Sequence, residues 1–227
     1  MRLFVAVDPP AFARDHLAAQ LRELFPHEGW LKGQSLQDLA VQHQPLQDQT
    51  LQDPAPQDPA PQDPAPHDGR RFRWISPEQW HVTLAFLAEV PDSEVATLSR
   101  HLATTAQSLT DLSVALAGAG AFPRPARATT LWCGIDPGGT ELSTLAQAVA
   151  GAARTAGLSL DERPFRPHLT LARCQPSDLQ PIVARLADYR GPQYPVDEIS
   201  MVRSHLGRGA GGRAAHETIG RWALRAD

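Results

Sequence analysis

Two short phrases concentrate the chemistry expected of this chain: His81-Val82-Thr83-Leu84 and His168-Leu169-Thr170-Leu171. Residues two apart on a strand share a face, so each phrase presents an imidazole beside a hydroxyl while the apolar residues turn into a core. Imidazole titrates near neutrality, so two copies brought together supply one general acid and one general base around a small anion. Two hydroxyls are then left to hold its oxygens. In-line displacement at phosphorus asks for that set.

The bare pattern is weak. Nine His and 13 Thr in 227 residues would give roughly half an instance of His-x-Thr by chance, and the chain holds three. In the third, His216-Glu217-Thr218-Ile219, a charge replaces the apolar middle residue, so it reads as a half-exposed strand and a decoy. The other two continue as apolar, strand-like runs, Trp80 to Leu87 and Pro167 to Ala172.

The elements ahead of the two phrases also match. Leu3 to Val7 is a continuous apolar strand, and Ala11 to Phe25 carries Leu17, Leu21 and Leu24 on one helical face before the first phrase. Thr130 to Ile135 is again a strand, followed by the turn Asp136-Pro137-Gly138-Gly139 and an Ala-rich helix from Glu141 to Ala156, before the second phrase. Strand, helix, His-x-Thr strand in each half points to a pseudo-twofold arrangement with both histidines lining one cleft.

Between about 28 and 71 the chain degenerates into Leu-Gln-Asp phrases and three tandem Gln-Asp-Pro-Ala-Pro units over Gln52 to Pro66. Proline at that density forbids helix and sheet ladders, so this is a low-complexity insertion in one domain spanning 1–227. The insertion holds seven acids and three bases, leaving 18 of each elsewhere, so the net charge of −4 does not argue against an anionic substrate. At 42% hydrophobic the chain buries a proper core. No apolar run suits a signal peptide or a bilayer span, which makes the cytoplasm the expected compartment. Cys133 and Cys174, both in expected core strands, read as buried free thiols. No carboxylate cluster suits magnesium and no His/Cys spacing suits zinc, so neither metal nor cofactor is expected.

The bases are 20 Arg and one Lys. Arg163, Arg166 and Arg173 flank the second phrase, and a forked guanidinium binds phosphate at two points. Arg173, five residues after His168, falls on the opposite face of a regular strand and needs a bend to reach the site. Arg203, Arg208 and Arg213 accompany a Gly-rich turn that fits either an RNA backbone contact or a solvated hairpin. Phe4, Phe122, Trp132 and Phe165 are equally candidates for base stacking and for the core. His16, His27, His43, His67, His101 and His205 read as structural or surface residues.

Taken together, Arg2-Leu3-Phe4-Val5-Ala6-Val7-Asp8, Trp80 to Leu87, Arg163 to Arg173 and the closing Arg221-Trp222-Ala223-Leu224 resemble the two-histidine (2H) phosphoesterase superfamily. Within it they resemble the RNA 2′,3′-cyclic phosphodiesterases, also called 2′-5′ RNA ligases. Members usually have Tyr where His216 stands, and the Gln-Asp-Pro-Ala-Pro insertion replaces a short connection. The resemblance implies an α+β, bilobal fold: two pseudo-twofold-related antiparallel sheets with outer helices and a central cleft. It implies metal-independent opening of a terminal 2′,3′-cyclic phosphate to a 2′-phosphate, with His81 as proton donor and His168 as proton acceptor. Thr83, Thr170 and Arg173 would bind the substrate phosphate. RNA ends or nucleoside 2′,3′-cyclic phosphates are the expected substrates, for a monomer with no obligate protein partner. Ligation of tRNA halves by the reverse chemistry, and RNA-end binding without turnover, are the alternatives.

Overall fold

The computed structural model describes residues 1–26, 72–160, 163–209 and 213–226; the insertion at about 28–71 lies outside them. The first half opens with β1 (Arg2–Val7) and α1 (Ala11–Leu24), followed by the two-residue β2 (Arg73–Trp74), a 3₁₀ turn at Pro77–Gln79, β3 (Val82–Glu89) and α2 (Asp92–Gln107). The second half brings β4 (Leu112–Phe122), β5 (Ala128–Ile135), α3 (Gly139–Thr155), β6 (His168–Ser177), α4 (Gln180–Arg185) and β7 (Arg190–Val196). A closing hairpin pairs β8 (Glu198–Gly209) with β9 (Arg213–Ala223). Both expected strand-helix lead-ins are present.

The strands run in the order β7-β4-β5-β6-β3-β1-β8-β9, with β2 on the side of β6, and all these pairings are antiparallel. The two His-x-Thr strands meet in the middle through one register pair, Val82 with Leu169. The strands therefore form one path, not the two separate sheets expected from the sequence. Outward from the junction each half repeats an order: the His-x-Thr strand, then the strand that opens its lead-in, β1 or β5.

Alternation along the strands divides the sheet into two faces. One carries Leu3, Val5, Val82, Leu84, Leu131, Leu169 and Leu171, which form the main core with Leu17 and Leu21 of α1 and Leu142, Leu145 and Val149 of α3. Leu17 and Leu21 lie one helical turn apart, so α1 offers a continuous apolar stripe, and each buried leucine contributes about 1.5–3 kcal/mol. The other face carries His81, Thr83, His168 and Thr170, with a small separate cluster of Phe4, Ala6 and Val202 beneath the first pair. No described helix is long and apolar enough to cross a membrane.

Candidate active site

Each histidine is oriented by the same local device. Nδ1 of His81 lies 2.8 Å from the Gln79 carbonyl oxygen, and Nδ1 of His168 lies 2.6 Å from that of Arg166. A carbonyl oxygen only accepts, so Nδ1 is the protonated nitrogen in both rings. Nε2 is left as the atom that exchanges a proton. The prolines that precede each phrase, Pro77 in the 3₁₀ turn and Pro167 beside His168, suit chain held out of regular helix at these points.

Ring neighbours complete the positioning. Phe4 stacks on His81 at 4.8 Å between centroids and 25° between planes, while Phe122 meets His168 edge-on at 5.0 Å and Trp132 lies 6.0 Å away. Three of the four aromatics named as stacking candidates thus pack on the two histidine rings; Phe165 packs against the core. Trp132 needs Gly120 opposite it, since a Cβ there would fall 2.1 Å from Trp132 Cζ2.

The two half-buried histidines have unlike surroundings. Burial lowers the pKa of both below 6.5. Against that, the Asp8 carboxylate favours the charged form of His81, whereas the Arg173 guanidinium disfavours a charge on His168. His168 also opposes a charge on His81, so the two sense each other electrostatically.

Arg173 reaches this face through a β-bulge. Trp132 pairs with Thr170 but Leu131 pairs with Ala172, so Leu171 is an extra residue and the alternation of β6 is reversed beyond it. Arg173 then stands opposite Thr130, on the side of His168 and Thr170. The same bulge follows the first phrase: Ala6 pairs with Thr83 and Val5 with Ala85, leaving Leu84 over, and the residue equivalent to Arg173 is Phe86, under the Arg2 guanidinium at 4.8 Å. In both places two consecutive residues are buried, Leu84 with Ala85 and Leu171 with Ala172. Neither the Thr83 nor the Thr170 hydroxyl is engaged by another described residue, which leaves both available to a ligand.

His216, read as a decoy, lies beside the first histidine. It is exposed on the active face, 5.3 Å edge-on to His81 and 5.2 Å from Phe4, with Thr218 opposite Val202 on the same side. Burial and the neighbouring His81 hold its pKa below 6.5, against the pull of Asp8. The charged Glu217 that made the motif look like a decoy simply occupies the other face. Arg203 also lies on that other face, opposite Leu3.

The remaining singled-out residues behave structurally. His16 Nδ1 is 3.1 Å from the Tyr189 hydroxyl and His205 Nε2 is 2.8 Å from Glu217. His27, His43 and His67 lie outside the described residues. Cys133 is buried and free, its thiol pushed up to about 12 by burial; Cys174 forms no disulfide, donates to the Ala128 carbonyl oxygen at 3.6 Å, and is only half-buried, contrary to expectation. Among the described residues no group of three or more His, Cys, Asp or Glu is arranged to hold a metal ion.

Comparison with known proteins bears on the family and the fold. An RNA 2′,3′-cyclic phosphodiesterase of Geobacillus stearothermophilus is 34% identical over 135 residues, 59% of this chain and 43% of that protein. One of Aquifex aeolicus is 26% identical over 131 residues, covering 57% and 70%. The chain thus spans less than half the length of the first of these relatives. A crystal structure of a Thermus thermophilus protein superposes over the whole of both chains with a TM-score of 0.66 at 20% identity. Escherichia coli LigT, solved with 3′-AMP, superposes over 98% of this chain and 97% of its own with a TM-score of 0.65 at 24% identity, a likeness of fold. The model of the 2′-5′ RNA ligase superfamily matches residues 66–208, which take in both His-x-Thr strands, and the chain belongs to that family.

Proposed function

We propose that the protein is a metal-independent RNA 2′,3′-cyclic phosphodiesterase that opens a terminal cyclic phosphate to a 2′-phosphate. The observation that carries the reading is the pair of imidazoles oriented identically through Nδ1 but flanked by opposite charges, Asp8 beside His81 and Arg173 beside His168. A carboxylate suits the ring that must hold a proton, and a guanidinium suits the ring that must start without one. His168 Nε2 takes a proton from water as the water oxygen attacks phosphorus. The bond from phosphorus to the 3′ oxygen breaks in line, and His81 Nε2 delivers its proton to that oxygen.

Thr83, Thr170 and Arg173 hold the non-bridging oxygens, where negative charge accumulates in the transition state. Substrates are RNA ends and nucleoside 2′,3′-cyclic phosphates; the curated relatives are named RNA 2′,3′-cyclic phosphodiesterases. The test is product analysis on a short RNA with a cyclic end, in the presence of EDTA. A 2′-phosphate product, lost in both His81→Ala and His168→Ala, is expected. Undiminished turnover in those two variants would overturn the reading.

A further inference from the structure

The active face carries a second guanidinium that the mechanism above does not use. In the pairing of β2 with β6, Arg73 stands directly opposite Arg173, and both side chains are exposed. Directly opposed residues of an antiparallel pair share a face, with Cβ atoms about 4.5–5.5 Å apart. Thr130, the partner of Arg173 on its other side, is uncharged. Among the described residues neither guanidinium has an ion-pair partner.

Like charges directly opposite one another oppose strand pairing, so this short strand is held by something else. Trp74, 5% exposed and in contact with the Phe25 and Phe72 rings, anchors it in the core. The Ile75 N–H donates to the Leu171 carbonyl at 2.8 Å, which ties β2 to the bulge residue that brings Arg173 round. With Trp74 turned inward, Arg73 is turned to the side of His168, Thr170 and Arg173. An anion bound between the two forks would convert the repulsion into attraction.

We propose that Arg73 is a substrate-binding residue, which with Arg173 forms a two-guanidinium clamp for the non-bridging oxygens of the reacting phosphate. The proposal rests on the function proposed above for its substrate, but the clamp itself is testable with phosphate alone. Arg73→Gln in the full chain removes one of two like charges, so in phosphate-free buffer its Tm equals or exceeds that of the parent. The rise in Tm that inorganic phosphate confers on the parent shrinks in the variant. Its kcat/KM on a nucleoside 2′,3′-cyclic phosphate falls about 10- to 100-fold, the value of a hydrogen bond to a charged group. Arg73→Lys, which keeps the charge but loses the fork, recovers part of this loss.

A lower Tm with the phosphate response and kcat/KM intact would assign Arg73 a structural role and overturn the clamp. So would an Arg73→Gln enzyme indistinguishable from the parent. A phosphate response that depends on Arg73 in a parent that opens no cyclic phosphate would support the clamp and sink the proposed function alone.

Discussion

Identical residues in identical hydrogen-bond settings take different tasks only if their wider surroundings differ. His81 and His168 are chemically equivalent as far as Gln79 and Arg166 reach, and Asp8 and Arg173 break the equivalence. Both rings, and His216 beside them, have pKa values held below 6.5 chiefly by burial. In the free protein His81, the proposed acid, loses its proton as pH rises through that lowered value, so kcat/KM should fall between pH 6.5 and 8. A kcat/KM that climbs over this range would contradict the role given to His81. Stability has the opposite slope. The unfolded chain takes up these protons first as pH falls, so the contribution of the neutral rings, fully present above 6.5, is lost as pH drops through the folded values. Thermal melts should show Tm falling below pH 6.5, with a smaller fall in His216→Ala; equal slopes for parent and variant would show that His216 does not titrate as described.

At the scale of elements, the paired bulges decide which side chains the site receives. Period-two alternation is legible from one strand and 3.6-residue spacing from one helix, and so the His-x-Thr faces and both lead-in helices were readable in the sequence. A bulge is a property of two strands. It needs the register of β1 against β3 and of β5 against β6, and without it Arg173 counts onto the wrong face. Arg73 was equally hidden, in a two-residue strand at the exit of a low-complexity segment. The Ala- and Gly-rich β4 carries weak strand preference because its small residues serve a neighbour: Gly120 lies under the Trp132 ring. Gly120→Ala should therefore displace that ring from His168, costing about 1–3 kcal/mol in urea unfolding together with a fall in kcat. In Gly120→Ala/Trp132→Ala the two losses should be less than additive, because the clash has gone. Strict additivity would mean that Gly120 and Trp132 act independently.

For the whole molecule, the proposed catalytic geometry depends on how firmly its two halves are joined. The direct contact of the two His-x-Thr strands is slight, one register pair between Val82 and Leu169 beside the two that β2 makes with β6, and a hinge there would separate His81 from His168. The helices oppose it. α3, which follows β5, packs on β3 and on α2, while α1, which follows β1, packs beside β7, so each half is covered partly by a helix whose lead-in strand belongs to the other. One contiguous core, from Leu3 and Leu17 to Leu131 and Leu169, is the result. Rigid joining of this kind suits an acid and a base that must keep fixed positions on either side of one phosphorus atom. It also makes the halves lose structure together. Urea unfolding followed by backbone circular dichroism and by tryptophan fluorescence should give coincident transitions, since Trp80 and Trp132 report on different halves. Leu169→Ala, which empties a fully buried position at the junction, should move both curves equally, by about 2–5 kcal/mol. Separation of the two curves in that variant would mean that Leu169, and not the crossed helices, is what couples the halves.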